Sequence, residues 1–273
     1  MRRLTTLALA TAAFLPLASP LGAQGHRFLV QGAPYLEAMT WTEIRDAIAA
    51  GKKAVIVPTG GTEQNGPHMV LGKHNYIVTF AAGQIAQKLG NALVAPTVQY
   101  VPEGDWSKPD FGDKPGVITL PSPAYDRLLD AAARSLRVHG FTDILLIGDS
   151  GGNQQGLVAV ADSLNKEWAG SGVTVYALVD YYQKARVQLR DWLLKTYGWD
   201  ARTVGSHAGT TDTSQMLYVH PEGIRREAIA PGGGSPDSGV NGDPTKASAE
   251  IGKVAVDMKV DLAIAQYRAL KGK

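Results

Sequence analysis

The chain of 273 residues contains no cysteine. A disulfide framework and a thiolate metal site are therefore both excluded, so any metal ligands would have to be His, Asp or Glu side chains. The chain also lacks a large excess of positive or negative charge, since the formal net charge is only +2 and no basic run follows the N-terminus. We therefore expect a small-molecule substrate rather than nucleic acid as the partner.

Long apolar runs are absent after the N-terminus, where one extends from Leu4 to Leu17. It follows two arginines and ends in small residues at Ala23, which is the order of a secretory signal peptide. We expect cleavage there, leaving residues 24–273 as one mature α/β domain without a membrane-spanning segment. Export of a chain without cysteine favours the bacterial periplasm as its location.

Short apolar runs alternate with helical patterns along the rest of the chain. Strands are predicted at residues 54–58, 92–95, 143–147 and 173–179. Helices are predicted from a capping box at Thr40 to Gly51, from 75 to 90, from Ser122 to Gly140, and after Asn153. This alternation predicts a mostly parallel sheet with helices on both faces.

Polar residues gather where the predicted strands end, which is where function concentrates in such sheets. Glu63, His68 and His74 follow the first strand, Asp149 follows the third, and His207 and Asp212 come later. Zn²⁺ and Mn²⁺ bind such oxygen and imidazole ligands, and an open position for water makes a hydrolytic site. An alternative interpretation is that Glu63 only caps a turn.

The segment Gly148-Asp149-Ser150-Gly151-Gly152 allows a second kind of chemistry. It fits the Gly-x-Ser-x-Gly nucleophile elbow of a strand-to-helix turn. Asp180 and His207 follow in the order that a Ser-Asp-His triad of this type requires. A serine hydrolase is therefore a rival to the metal site.

Five blocks of the sequence carry a family resemblance. Residues 60–74 look like Gly-x-x-Glu-Gln-His-Gly-Pro-His-Leu-Pro-Leu-x-x-Asp, and residues 115–120 like Pro-Gly-Thr-Ile-x-Leu. Residues 148–153 look like Asn-Gly-His-Gly-Gly-Asn, residues 207–214 like His-Ala-Gly-x-x-Glu-Thr-Ser, and residues 239–252 like a closing loop and helix. In this order the blocks resemble the creatininase (creatinine amidohydrolase) family and cover nearly all of the mature chain.

The resemblance implies a three-layer α/β/α sandwich, often a homohexamer, with two divalent metal ions that activate water against an amide. Of the family's metal-ligand positions, only Glu63 is unchanged here. Asn65, His74, Ser150 and Asp212 stand where the family has His, Asp, His and Glu. A neutral imidazole has one free lone pair and cannot bridge two ions as a carboxylate does. The departures therefore predict one ion instead of two.

We accordingly expect a periplasmic, metal-dependent, homo-oligomeric hydrolase of a small cyclic or linear amide or a lactone. Glu63, His74 and Asp212 would hold one Zn²⁺ or Mn²⁺, with Asp149 as a fourth ligand. His207 would be the general acid, with Asp149 and Ser150 beside it. The expected substrate contacts are Asn65, His68, Trp106 and Asn153. Two alternatives stay open, an inactive binding or assembly protein of the same fold and a serine hydrolase using Ser150, Asp180 and His207.

Overall fold

The structure is a computed structural model that describes residues 32–272. The predicted signal peptide, residues 1–23, lies outside the described residues. In the part of the chain that is described, no helix is both long and apolar enough to cross a membrane.

Four parallel strands form a single sheet: β1 (Ala54–Thr59), β2 (Ala92–Val94), β3 (Asp143–Gly148) and β4 (Thr174–Ala177). Their spatial order is β2-β1-β3-β4. The central strands β1 and β3 pair along their full length, with Val55 opposite Ile144, and every residue in them is buried. Continuous burial of this kind is typical of a sheet covered on both faces.

Helices cover both faces of the sheet. They are α1 (Trp41–Ala49), α2 (Lys73–Leu89), α3 (Ser122–Val138), α4 (Gln154–Glu167), α5 (Gln183–Tyr197), α6 (Ala201–Val204), α7 (Thr210–Val219) and α8 (Ala249–Lys271). Ile56 and Leu145 lie in the core shared with α2, α7 and α8, whereas Val55 and Ile144 lie in the core shared with α1, α3 and α4. Alternate strand residues thus face opposite layers, and the predicted three-layer α/β/α sandwich is confirmed.

Most predicted elements have the expected ends. The capping box is present, because the Thr40 hydroxyl accepts from the backbone of Glu43 and the Glu43 carboxylate accepts from the backbone of Thr40. One prediction is off by a residue: α3 begins at Ser122 itself, and Pro121, with an extended ψ of 141°, takes the capping position. The strand predicted at 173–179 is shorter, because the chain turns into a 3-10 helix at Val179–Tyr181.

Candidate functional site

A cavity of 420 Å³ lies where the loops after β1 and β3 meet the start of α7 and the side of α5. Six of the predicted site residues line this cavity: Glu63, His74, Asp149, Ser150, His207 and Asp212. The polar residues after the strands therefore meet at the carboxyl edge of the sheet, as expected.

His74 lies in the first turn of α2 and is held between two carboxylates. Its Nδ1 is 2.8 Å from Asp149 Oδ2, and its Nε2 is 2.8 Å from Glu63 Oε1. Burial and the neighbouring Lys73 lower the pKa of His74, but the hydrogen bonds to Asp149 and Glu63 outweigh them and raise it to about 9. At neutral pH the imidazole is therefore cationic and donates from both nitrogens.

Lys73 is a buried cation on the same helix end, with 1% of its surface exposed. Its Nζ is 2.6 Å from Asp212 Oδ2 and 3.2 Å from Glu63 Oε1. Burial disfavours the ammonium, yet the attraction of Asp212 and Glu63 holds the pKa of Lys73 above its ordinary value. Burial likewise opposes ionisation of Glu63, but the bond from His74 and the charge of Lys73 lower the pKa of Glu63 to about 2.

Asp149 has a second buried lysine as its partner. Its Oδ1 accepts a hydrogen bond from Lys259 Nζ of α8 and another, 2.9 Å long, from the Tyr181 hydroxyl. Burial favours the neutral acid, but the charge of Lys259 and the bond to His74 keep the pKa of Asp149 below its ordinary value. Cations and anions thus alternate in one series, which we call the ion-pair chain: Lys259, Asp149, His74, Glu63, Lys73 and Asp212.

His207 lies beside the ion-pair chain on the opposite loop. Antiparallel backbone hydrogen bonds to Asn241 fix the loop, with Asn241 N donating to His207 O over 2.8 Å. The ring Nε2 lies 2.9 Å from the carbonyl oxygen of Gln64, and Nδ1 is 3.7 Å from Glu63 Oε1. Burial and the charge of Lys73 lower the pKa of His207. Nε2 also lies 3.0 Å from the side-chain Nε2 of Gln64, so the role of this nitrogen depends on the tautomer. In the neutral ring that donates from Nε2 to the Gln64 carbonyl, the lone pair is on Nδ1.

Glu103 is a carboxyl group that the sequence analysis did not select. It lies on the long loop before α3, hydrogen-bonds Ser150, and keeps Oε1 buried without a hydrogen-bond partner. Burial raises the pKa of Glu103 to about 7, against the lowering effect of His74. Among the described residues, Glu63, His74 and Glu103 are a group whose ligand atoms lie within 4.8 Å of one another.

The arrangement does not fit a divalent ion held by Glu63, His74 and Asp212. Both ring nitrogens of His74 already bond carboxylates, so neither is a free lone pair for a metal. The Lys73 ammonium bonds both Glu63 and Asp212. The group of Glu63, His74 and Glu103 would also need a free nitrogen on His74, which it lacks. Asp149, the predicted fourth ligand, accepts bonds from Lys259, Tyr181 and His74 instead.

The rival serine triad is not assembled either. His207 forms hydrogen bonds with Gln64, and Asp180 lies 3.8 Å from Lys184 on α5. Within residues 32–272, no hydrogen bond joins His207 to Ser150 or to Asp180. Ser150 still lines the cavity, where it can contact a bound molecule.

The four predicted substrate contacts lie outside the cavity, and three of them, Asn65, His68 and Asn153, hold the loops in place. The Asn65 amide donates to the carbonyl oxygens of Glu63, Val70 and Leu71 and so holds this turn together. His68 contacts the Thr213 hydroxyl at 3.0 Å.

Asn153 ties the loop after β3 to the loop after β1, since its amide donates to Thr59 and Gly60. Trp106 is 61% exposed on the long loop before α3. None of the four predicted contacts is among the described residues that line the cavity.

Three further residues of the site were missed: Lys73, Lys259 and Tyr181. Lys259 had a signal, since it lies on the buried stripe of α8 with Val256, Val260 and Ala263. Lys73 had a weaker one, as a lysine at the first position of a helix, where the helix dipole disfavours positive charge. Tyr181 had none beyond its place after the fourth strand.

Comparisons with known proteins show which family the chain is similar to. The family model described as creatinine amidohydrolase matches residues 37–266. The chain is 25% identical to the creatinine amidohydrolase of Pseudomonas putida over 189 residues, covering 67% of this chain and 71% of that protein. It is 26% identical to the mycofactocin precursor peptide peptidase of Mycolicibacterium smegmatis over 221 residues, covering 73% and 78%.

The fold is also shared with solved structures. One described as "Creatininase Mn" superposes with a TM-score of 0.69 at 22% identity, over 87% of this chain and 98% of that one. The predicted class of enzyme, a hydrolase of C–N bonds, agrees with the names of both relatives. With the sandwich, the order of the loops and the family match over most of its length, the chain belongs to the creatininase family.

Proposed function

We propose that this protein hydrolyses the C–N bond of a small amide bound in the cavity. The observation that carries the proposal is His207, which lines the cavity with its Nδ1 3.7 Å from Glu63 Oε1, in a member of an amidohydrolase family. Creatinine is itself a cyclic amide, which supports an amide rather than a lactone as the substrate. The proposed reaction has no step on a metal ion, because Glu63, His74 and Asp212 are bonded to one another or to Lys73.

His207 carries the proton in the proposed reaction. A water molecule adds through its oxygen to the carbonyl carbon while one of its protons passes to His207 Nδ1. The carboxylate of Glu63, 3.7 Å from Nδ1, stabilises the imidazolium that forms. The C–N bond then breaks, Nδ1 returns the proton to the leaving nitrogen, and the products are a carboxylic acid and an amine.

Lys73 supplies positive charge near the carbonyl oxygen. An ammonium has three donors, and two of them bond Glu63 and Asp212. The remaining donor, at a residue that lines the cavity, can stabilise the negative charge that develops on the oxygen during addition.

The test is turnover of a panel of cyclic and linear amides by the wild-type protein and by His207→Ala. Loss of the proton carrier should lower kcat by about 10²- to 10⁴-fold, because general acid–base catalysis contributes that much. Trp106→Ala, on the exposed loop outside the cavity, is the matched control and should keep wild-type turnover. Equal rates for His207→Ala and wild-type protein would show that another group carries the proton.

A non-catalytic binding protein is the second candidate function. The observation that favours it is the ion-pair chain, in which each charge already has a protein partner. Thermal stabilisation by an amide that the wild-type protein does not turn over would support binding without catalysis.

We also propose export to the periplasm and assembly into a homo-oligomer. The N-terminal sequence supports export, and mass spectrometry of protein from its native host should find the mature N-terminus near Gln24. Family membership supports assembly, and light scattering on the purified protein should give several times the mass of one chain. An intact Met1, or the mass of a monomer, would contradict the respective proposal.

A further inference from the structure

The position of Lys73 has a consequence that does not depend on the proposed hydrolysis. Its Nζ lies between a carboxylate oxygen of Glu63 and one of Asp212, at 3.2 and 2.6 Å. A Zn²⁺ or Mn²⁺ ion shared by these carboxylates would have to approach to about 2.0–2.2 Å from its ligand oxygens. The ammonium occupies that space, so ion and ammonium exclude each other.

The formal charge of the cluster also disfavours a divalent ion while Lys73 is present. Asp149, Glu63 and Asp212 bring three negative charges, and the two lysines bring two positive ones. With His74 cationic the cluster is formally neutral, so a divalent ion would add two uncompensated charges. Without Lys73 the formal charge would be −1, which attracts a cation.

Lys73 is also placed against the local preference of its helix. It is the first residue of α2, and the N-terminus of a helix disfavours a cation. The carboxylates of Glu63 and Asp212 are the groups that stabilise the charge here.

We propose that the Lys73 ammonium is the resident cation of this site, that the protein holds no divalent metal, and that removing the ammonium creates a metal site at Glu63 and Asp212. The proposal assigns Lys73 the charge-stabilising place that a bound ion would otherwise take.

The experiment compares metal binding by the wild-type protein and by Lys73→Ala. Each is incubated with Zn²⁺ or Mn²⁺, freed of unbound ions by gel filtration and analysed for metal content, and its melting temperature is measured with and without chelator. We expect no retained ion and no chelator effect for wild-type protein. For Lys73→Ala we expect close to one ion per chain and a melting temperature that rises with added ion.

The double variant Lys73→Ala/Asp212→Asn is the matched control. It removes one carboxylate charge and should lose the ion that Lys73→Ala gained. A stoichiometric ion in wild-type protein, removed by chelator with a fall in melting temperature, would overturn the proposal. A folded Lys73→Ala that binds no ion would also overturn it, and the wild-type measurement decides the matter if Lys73→Ala does not fold. None of these outcomes depends on turnover, so they leave the proposed amide hydrolysis to its own test.

Discussion

At the scale of single residues, two of the three lysines of α8 differ sharply in their surroundings. Lys259 is buried and donates to Asp149, whereas Lys253 is exposed and pairs with Asp257 on the same helix. Removing one partner of a buried pair leaves an uncompensated charge in a medium of low polarity, which costs far more than the loss of a solvated pair.

We predict that Lys259→Met lowers the free energy of unfolding by about 3–5 kcal/mol, because Asp149 then keeps its charge without its lysine. Lys253→Met, the matched control, should change it by less than about 1 kcal/mol, as expected for a surface pair. Urea denaturation of the two variants measures both. Equal losses would mean that the Lys259 pair is no more important than a surface contact.

A second residue-scale prediction concerns recognition. Arg186 and Arg190 of α5 line the cavity, and within the described part of the chain no ion pair occupies Arg186, whereas Arg190 lies 3.2 Å from Asp191. A guanidinium binds carboxylates in two-point fashion, so we expect substrates with an acidic group to be preferred. Arg186→Ala should raise KM for an acidic amide by about tenfold, equivalent to about 1.4 kcal/mol, with kcat little changed.

The control for this prediction is Lys184→Ala on the same helix. Lys184 faces Asp180 at 3.8 Å and does not line the cavity, so its loss should leave KM unchanged. An equal rise of KM in both variants would indicate a general effect of positive charge rather than a contact with Arg186.

At the scale of elements, α7 and α8 approach closely at a glycine. A Cβ on Gly252 would overlap the carbonyl oxygen of Ser214, which is backbone and cannot rotate away. Gly252→Ala should therefore lower the free energy of unfolding by about 1–3 kcal/mol, the usual cost of overpacking. Gly112→Ala is the matched control, since nothing lies within 4 Å of its added Cβ and its φ is not positive.

Differential scanning calorimetry should show a lower melting temperature for Gly252→Ala than for Gly112→Ala. The same melting temperature for both would mean that the two helices can move apart at no cost.

Secondary structure could be predicted from the sequence because its signals are local. Capping, apolar runs and the left-handed Gly90 after α2 are local signals, and they located the strands and most helix ends. The partners of Asp149 are not local, because Lys259 lies 110 residues and Tyr181 32 residues away along the chain. Residue type alone therefore indicated metal ligands, while the side chains in fact pair with each other.

The sequence also could not show whether a polar loop residue contacts a substrate or the backbone. Asn65 and Asn153 are polar residues of functional loops, and nothing in the sequence distinguishes an amide that faces a ligand from one that bonds the backbone. In the structure both side-chain amides donate hydrogen bonds to carbonyl groups of the turns around them.

At the scale of the whole molecule, the ion-pair chain links stability to pH from two sides. The folded-state pKa of Glu63, about 2, is below its ordinary 4.5, so its stabilisation is present above pH 4.5 and is lost as the pH falls toward 2. The pKa of His74 is raised from 6.5 to about 9, so its stabilisation is complete below pH 6.5 and is lost as the pH rises through 9.

Glu103, whose pKa is raised from 4.5 to about 7, loses stabilisation as the pH rises between these values. We therefore predict that the urea midpoint is highest near pH 4.5 and declines on both sides. His74→Gln should flatten the alkaline decline, because the titrating imidazole is gone. A wild-type midpoint that stays constant from pH 6.5 to 9 would show that His74 is not held as a cation.

The cation between Glu63 and Asp212 is covalently attached to the polypeptide. A bound ion dissociates, exchanges with competing ions and must be acquired from the surroundings, whereas a side-chain ammonium has a fixed stoichiometry of one per chain. The positive charge at this position is therefore encoded in the sequence, and folding brings it between the two carboxylates. Its occupancy is independent of the metal supply of whichever compartment the chain reaches, and no chaperone or loading step is needed to deliver it.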